Sequence, residues 1–76
     1  MSERQQELLG EICRRCGATL GELTGHLVDV PSAVVNRDLC EMQDAGLIRA
    51  ARRSEWTPMR WEPTTEGILA GRSILV

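Results

Sequence analysis

The sequence has no lysine, no phenylalanine and no tyrosine, and it has a single histidine and a single asparagine. Without Phe or Tyr, a core must be built from Leu, Ile, Val, Ala and Met around two tryptophans. No apolar run approaches the roughly 20 residues that span a bilayer. The first four residues are not the start of a signal peptide. The chain is therefore expected to be cytoplasmic, away from membranes, with its three cysteines reduced. One histidine, no tyrosine and no glycine-rich phosphate loop leave no nucleophile-and-base arrangement, so neither an enzyme nor a bound cofactor is expected. At 76 residues the chain reads as one domain, 1–76, with a modest core and marginal stability. All nine basic residues are Arg. That bias points to a GC-rich genome, bacterial or that of a bacterial phage, and says little about chemistry.

The formal net charge is −2, and it is unevenly spread. Residues 1–16 balance three Arg against three Glu, and 64–76 balance Glu66 against Arg72. Residues 17–30 carry Glu22 and Asp29, and residues 31–45 carry Arg37 against Asp38, Glu41 and Asp44. Residues 46–63 hold Arg49, Arg52, Arg53 and Arg60 against Glu55 and Glu62, a surplus of two positive charges. The basic segment thus follows directly on an acidic one.

The stretch from Pro31 to Ile48 organises the chain. Val35, Leu39 and Met42 fall at i, i+4 and i+7, one face of a helix over 31–45. Pro31 suits its first turn, and Gly46 suits the left-handed residue that ends it, with Leu47 folding back. The opposite face, Ala33, Asn36, Arg37, Cys40, Glu41 and Asp44, is expected in solvent. Upstream, a first helix runs from 2 to about 15, capped by Ser2 and stopped by Gly17, with Leu8, Leu9, Ile12 and Cys16 inward and Cys13 beside them. Thr19 and Glu22 have the spacing of a capping box, with Ala18 and Leu23 as its hydrophobic staple, for a short helix to about residue 28 that buries Leu20, Leu23 and Leu27. Downstream the period becomes extended. Strands are expected over 47–53 and 59–63, joined by the turn-rich Ser54-Glu55-Trp56-Thr57-Pro58. Thr64 caps a last helix, 65 to about 72, with Ile68 and Leu69 inward. Gly67 and Gly71 weaken it by about 1 kcal/mol each relative to Ala. Residues 74–76, Ile-Leu-Val, form an apolar tail. The expected core is Leu9, Ile12, Leu20, Leu23, Leu27, Val35, Leu39, Leu47 and Trp61.

The fold class is therefore α+β, mainly α with a small β-hairpin, in the order α-α-α-β-β-α. That is the order of a winged helix-turn-helix. LGELTGHL, then VDVPSAVVNRDLCEMQDAGLIRAARR, then RWEPTTEG, together resemble the MarR-like and ArsR-like bacterial transcriptional regulators, over roughly residues 6–72. In that resemblance the Gly-Leu-Ile after the central helix begins the wing, and Trp61, Glu62, Pro63, Thr64 and Gly67 occupy the places of its return. It implies a small regulator binding double-stranded DNA, with Ser32, Ala33, Asn36 and Arg37 presented to base edges in the major groove.

The residue chemistry agrees with part of this. Arg pairs guanine O6 and N7, and Asn pairs adenine N6 and N7, in two-bond contacts. The alternative is a solvated polar helix face, which any soluble helix has, and Glu41 and Asp44 oppose phosphates. Arg49, Arg52, Arg53 and Arg60 in the 47–63 wing are candidates for phosphate contact, and Arg53 near the tip for a minor groove. The alternative is edge-strand protection by charge. Trp56 in the loop marks a possible partner contact or folds back over its own hairpin. Cys13, Cys16, His26 and Cys40 are four potential zinc ligands. Their spacing is not that of a finger, a single Cys40 does not reproduce the paired cysteines of ArsR-like metal sensors, and no metal is expected. A homodimer through the first and last helices and the 74–76 tail would read two half-sites. The rival expectation is a winged-helix protein-interaction module, a phage or accessory protein docking on a host complex, which the acidic central helix favours.

Overall fold

In the computed structural model, Ser2 opens the chain with a cap: its Oγ accepts from Gln5 N–H at 3.2 Å, while Gln5 Oε1 accepts from Ser2 N–H at 3.3 Å. This reciprocal pair starts α1, Glu3–Arg15. The structure describes the backbone of residues 1–52 and 54–75, and side chains among these as far as residue 72. Leu8, Leu9 and Ile12 are fully buried along one side of α1. The helix stops at Cys16, which takes the left-handed conformation (φ 56°) expected of Gly17. Gly17 N–H then reaches back to Ile12 O at 2.9 Å. At this bend Cys16 leaves the helix phase and stands exposed, so it is not part of the apolar face assigned to it.

A two-residue strand follows, β1, Ala18–Thr19, where only a connection was expected. Thr19 also caps α2, Leu20–His26, through the anticipated capping box: Glu22 N–H donates to Thr19 Oγ1 at 3.2 Å and Thr19 N–H to Glu22 Oε1 at 3.0 Å. Leu23 is fully buried, whereas Leu20 and Leu27 are half-buried at the margin. Residues 27–31 turn the chain into α3, Ser32–Asp44. Pro31 is the residue just before the first turn rather than within it, and its carbonyl accepts from Val34 and Val35 N–H. Gly46 (φ 80°) ends the approach to the sheet, with Leu47 N–H donating to Met42 O at 3.0 Å.

The hairpin consists of β2, Ile48–Ala51, and β3, Arg60–Pro63, both shorter than expected. β3 lies in the middle of a three-stranded antiparallel sheet of order β1-β3-β2, with Trp61 opposite Ala18 on one side and Ala50 on the other. Helix α4, Thr65–Leu75, closes the molecule against α1. Among the described residues the core is Leu8, Leu9, Ile12, Ala18, Leu23, Val35, Leu39, Met42, Ile48 and Trp61, none of them from α4. Among the described residues no helix is long and apolar enough to cross a membrane.

The last helix departs most from expectation. Ile68 and Leu69 are 42% and 57% exposed, so they face outward. Among the described residues its inward side is Gly67, Gly71 and, half-buried, Ala70. A Cβ on Gly67 would lie 1.9 Å from Leu47 O, and one on Gly71 would lie 2.7 Å from Cys13 Sγ. The two glycines therefore let α4 approach the chain at these points, which a count of helix propensity alone does not register.

Candidate nucleic-acid interface

Helix α3 presents two chemically distinct sides. Val35, Leu39 and Met42 are in the core. Ser32, Ala33, Asn36, Arg37 and Cys40 are all exposed, a stripe that starts at the first residue of the helix. Arg37 has no ion-pair partner among the described residues.

The acids of α3 are not equivalent. Asp38 is buried, with 3% of its surface exposed. Its carboxylate accepts from Arg4 Nε, in an ion pair that latches the start of α1 onto α3, and from Gln5 Nε2 at 3.4 Å. The Arg4 hydrogen bond, foremost, holds the Asp38 carboxyl below its ordinary range against the opposing effect of burial. Glu41 is exposed but accepts from the same Gln5 amide at 2.8 Å. Only Asp44 stands exposed without a hydrogen-bond partner among the described residues. Arg4 and Gln5 come from a segment 33 to 37 residues away, so a charge sum over 31–45 overstates the acidity that an approaching ligand meets.

The arginines of the wing also divide. Arg49 is exposed and its Nη2 lies 3.4 Å from Glu62 Oε1, its partner across the β2–β3 ladder. Arg52, just past β2, is exposed and has no ion pair among the described residues. Arg53 lies outside the described residues. Arg60, grouped in sequence with the phosphate candidates, is half-buried and its Nη2 donates to Gly17 O at 2.7 Å. It fastens β3 to the corner between α1 and β1 instead of standing free on the wing. That role was invisible in sequence because β1 is too short to show a period. Trp56 does not fold back over its hairpin. It is 92% exposed in the turn formed by residues 54–57.

The potential zinc ligands are in different settings. Cys13 is half-buried beneath α4 with Sγ 3.8 Å from Gly67 O, and burial pushes its thiol up from the ordinary value. Cys40 is exposed on the outer side of α3. His26 is engaged through both ring nitrogens, Nε2 at 3.3 Å from Glu7 Oε1 and Nδ1 at 3.1 Å from Glu11 Oε2. Glu11 itself is buried and also paired with Arg14 at 2.7 Å. Among the described residues no three His, Cys, Asp or Glu side chains gather as a metal site.

A mutant of Lactococcus lactis ZitR, among solved structures, matches 96% of this chain with a TM-score of 0.83. The fold is a winged helix. Sequence identity to that structure is 18%, and this chain spans about half, 49%, of its length. No family model and no curated protein matches the sequence. In winged-helix terms α2 and α3 are the helix-turn-helix, β2 and β3 the wing, and β1 the third strand that backs it.

Proposed function

We propose that residues 1–76 form one winged-helix unit that binds double-stranded DNA as a small, sequence-specific transcriptional regulator. The observation that carries this reading is the exposed stripe Ser32, Ala33, Asn36 and Arg37 on α3, flanked by an Asp38 whose charge is compensated by Arg4. Helix α3 enters the major groove from its N-terminal end, with Asn36 and Arg37 reading base edges. Arg52, with Arg53 beside it in sequence and Arg49 held loosely by Glu62, meets phosphates. Two copies associate through α1 and α4, where Ile68 and Leu69 offer an apolar outer face, and so bind two half-sites.

Binding to mixed-sequence and genomic duplexes, titrated at low and physiological salt, tests this. Phosphate contacts are insensitive to sequence and release counterions, whereas base contacts discriminate. Arg52→Ala is expected to weaken binding to every duplex and to flatten the salt slope by roughly one unit. Asn36→Ala or Arg37→Ala is expected to cost about 1–3 kcal/mol on a selected site and little on random DNA. Glu41→Gln with Asp44→Asn is expected to raise affinity for random duplexes. Failure of the wild type and of this double variant to bind any duplex at low salt sinks the reading.

A second reading, a winged helix that docks on a host protein complex, is favoured by exposed Glu41 and Asp44 and by the net charge of −2. It becomes the stronger one on that outcome.

A further inference from the structure

The tip of the wing holds a tryptophan out in water. Thr57 N–H donates to Ser54 O at 3.2 Å, and Ser54 Oγ and Thr57 Oγ1 share a hydrogen bond of 2.8 Å. These two bonds close a four-residue turn, Ser54-Glu55-Trp56-Thr57, with the indole at its third position and Pro58 behind it. An indole is among the largest apolar surfaces a residue can bury. Here Trp56 is 92% exposed. The tip is thus a small, closed turn with one aromatic plane projecting from it.

Its surroundings narrow the occupant. Ser54, Glu55 and Thr57 are the ring's neighbours in the turn, so the ring is set among polar groups. Exposed Arg52 leads into the turn without an ion pair among the described residues, and Arg53 follows it in sequence. A flat aromatic with Arg52 leading into its turn, set against the one carboxylate of Glu55, complements a base step between two phosphate chains. Proteins that wedge a side chain between base steps from the minor groove pair the wedge with such basic groups.

The geometry points to Trp56 as a stacking wedge: resting on the DNA-binding reading above, the wing tip enters the minor groove, and the indole stacks on a partly opened base step between phosphates held by Arg52. The cost of opening the step is least at pyrimidine–purine steps, so TA and CA steps under the wing are preferred although no side chain hydrogen-bonds to them.

Intrinsic fluorescence tests this, because Trp56 is exposed while Trp61 is only 4% exposed in the core. The probe is a short mixed-sequence duplex containing TA steps, titrated into wild type, Trp56→Phe and Trp56→Ala at two salt concentrations. Wild-type emission is expected to be quenched on binding. Trp56→Phe, which keeps a stacking ring, is expected to bind nearly as well with that quenching gone, which assigns the signal to the tip. Trp56→Ala is expected to bind roughly tenfold more weakly, within the range of lost aromatic stacking, with the salt slope unchanged because no phosphate contact is lost. Binding with unaltered wild-type emission and an unweakened Trp56→Ala overturns the wedge and leaves DNA binding intact. Absence of duplex binding by the wild type at low salt overturns both. The tip is exposed, so neither substitution disturbs the core, and circular dichroism of the free variants checks that.

Discussion

Helices α3 and α4, of 13 and 11 residues, both lie with one side against the rest of the molecule, yet they do so in opposite ways. Helix α3 fills space with Val35, Leu39 and Met42. Helix α4 turns Gly67, Ala70 and Gly71 inward and leaves Ile68 and Leu69 outside. The cause lies at the turn that α3 itself makes. Thr64 N–H donates to Leu47 O at 3.0 Å, Thr64 Oγ1 donates to Gly46 O at 2.6 Å, and Gly67 N–H donates back to Thr64 Oγ1 at 3.0 Å. These bonds seat the first turn of α4 directly on the backbone of Gly46 and Leu47, where no side chain fits. Apolar periodicity finds helices that pack by volume. A helix seated on backbone is marked by its smallest residues instead.

The sharpest way to break this contrast is Gly67→Ala. Helix propensity alone favours the change by about 1 kcal/mol. The clash at 1.9 Å, however, is with a main-chain oxygen that cannot rotate away. A net loss of about 3–4 kcal/mol is expected, at or beyond the upper end for overpacking, and urea unfolding measures it. A stabilised Gly67→Ala would mean that α4 is not seated on Leu47. On α3 the corresponding change removes volume. Leu39→Ala is expected to cost about 3 kcal/mol, inside the 2–5 range for buried leucines, and an unchanged midpoint would contradict its place in the core.

What could be read from sequence follows the same division. The caps at Ser2, at Thr19 with Glu22, and at Gly46 were legible because each rests on contacts within a few residues. So was the inward face of α3, which repeats at helical spacing. The hairpin was legible in place, though β2 is shorter at both ends and β3 starts one residue later than the extended pattern suggests. Strand β1 was missed because two residues carry no period. Cys16 was misplaced because glycine is the usual left-handed residue, and here the cysteine just before it takes that conformation. Arg60 looked like a free charge on the wing, and Asp38 counted only toward an acidic sum, because their partners, Gly17 and Arg4, lie 43 and 34 residues away. Of the candidate interface, the exposure of Ser32, Ala33, Asn36 and Arg37 was therefore readable, and the neutralisation beside them was not.

Asp38 separates α3 from α4 in another respect, since it is a buried carboxylate that depends on charge. Its folded value is depressed, chiefly by the hydrogen bond from Arg4. A depressed acid contributes stability that is fully present above its unfolded value of about 3.9 and is lost as pH falls through the folded value. Acid titration of unfolding should therefore show stability falling below about pH 4. Asp38→Asn should make that limb shallower and cost about 1.5 kcal/mol at neutral pH, the low end for a hydrogen bond to a charged group, since the amide keeps an acceptor. An acid limb of unchanged slope in the variant would remove Asp38 from this account.

A smaller effect is expected at Gly71. Its absent Cβ would meet Cys13 Sγ at 2.7 Å, the end of a side chain that can turn aside. Gly71→Ala is expected to cost no more than about 1 kcal/mol, because the gain in helix propensity offsets part of the overlap. Adding Cys13→Ala should relieve it. Coupling between the two changes, measured as a double-mutant cycle, would be of favourable sign. Additive effects would show that α4 does not press on Cys13.

The smallest effect on stability is expected where α4 is most apolar. Ile68 and Leu69 contribute little to the monomer's core, being 42% and 57% exposed. Replacing both by Ser should move the free energy of unfolding of an isolated chain by no more than about 0.5 kcal/mol, as for surface positions without special contacts. If the outer face of α4 joins two copies, the same double substitution should abolish the dimer, because it removes the exposed apolar area that drives association. Sedimentation of wild type and variant at matched concentrations separates the two effects, with thermal unfolding of each at several protein concentrations. A wild-type dimer that becomes a monomer of unchanged intrinsic stability would place these residues outside the fold and inside an interface. A loss of several kcal/mol in a protein that is monomeric throughout would instead return Ile68 and Leu69 to the core, and with them the periodic reading of α4.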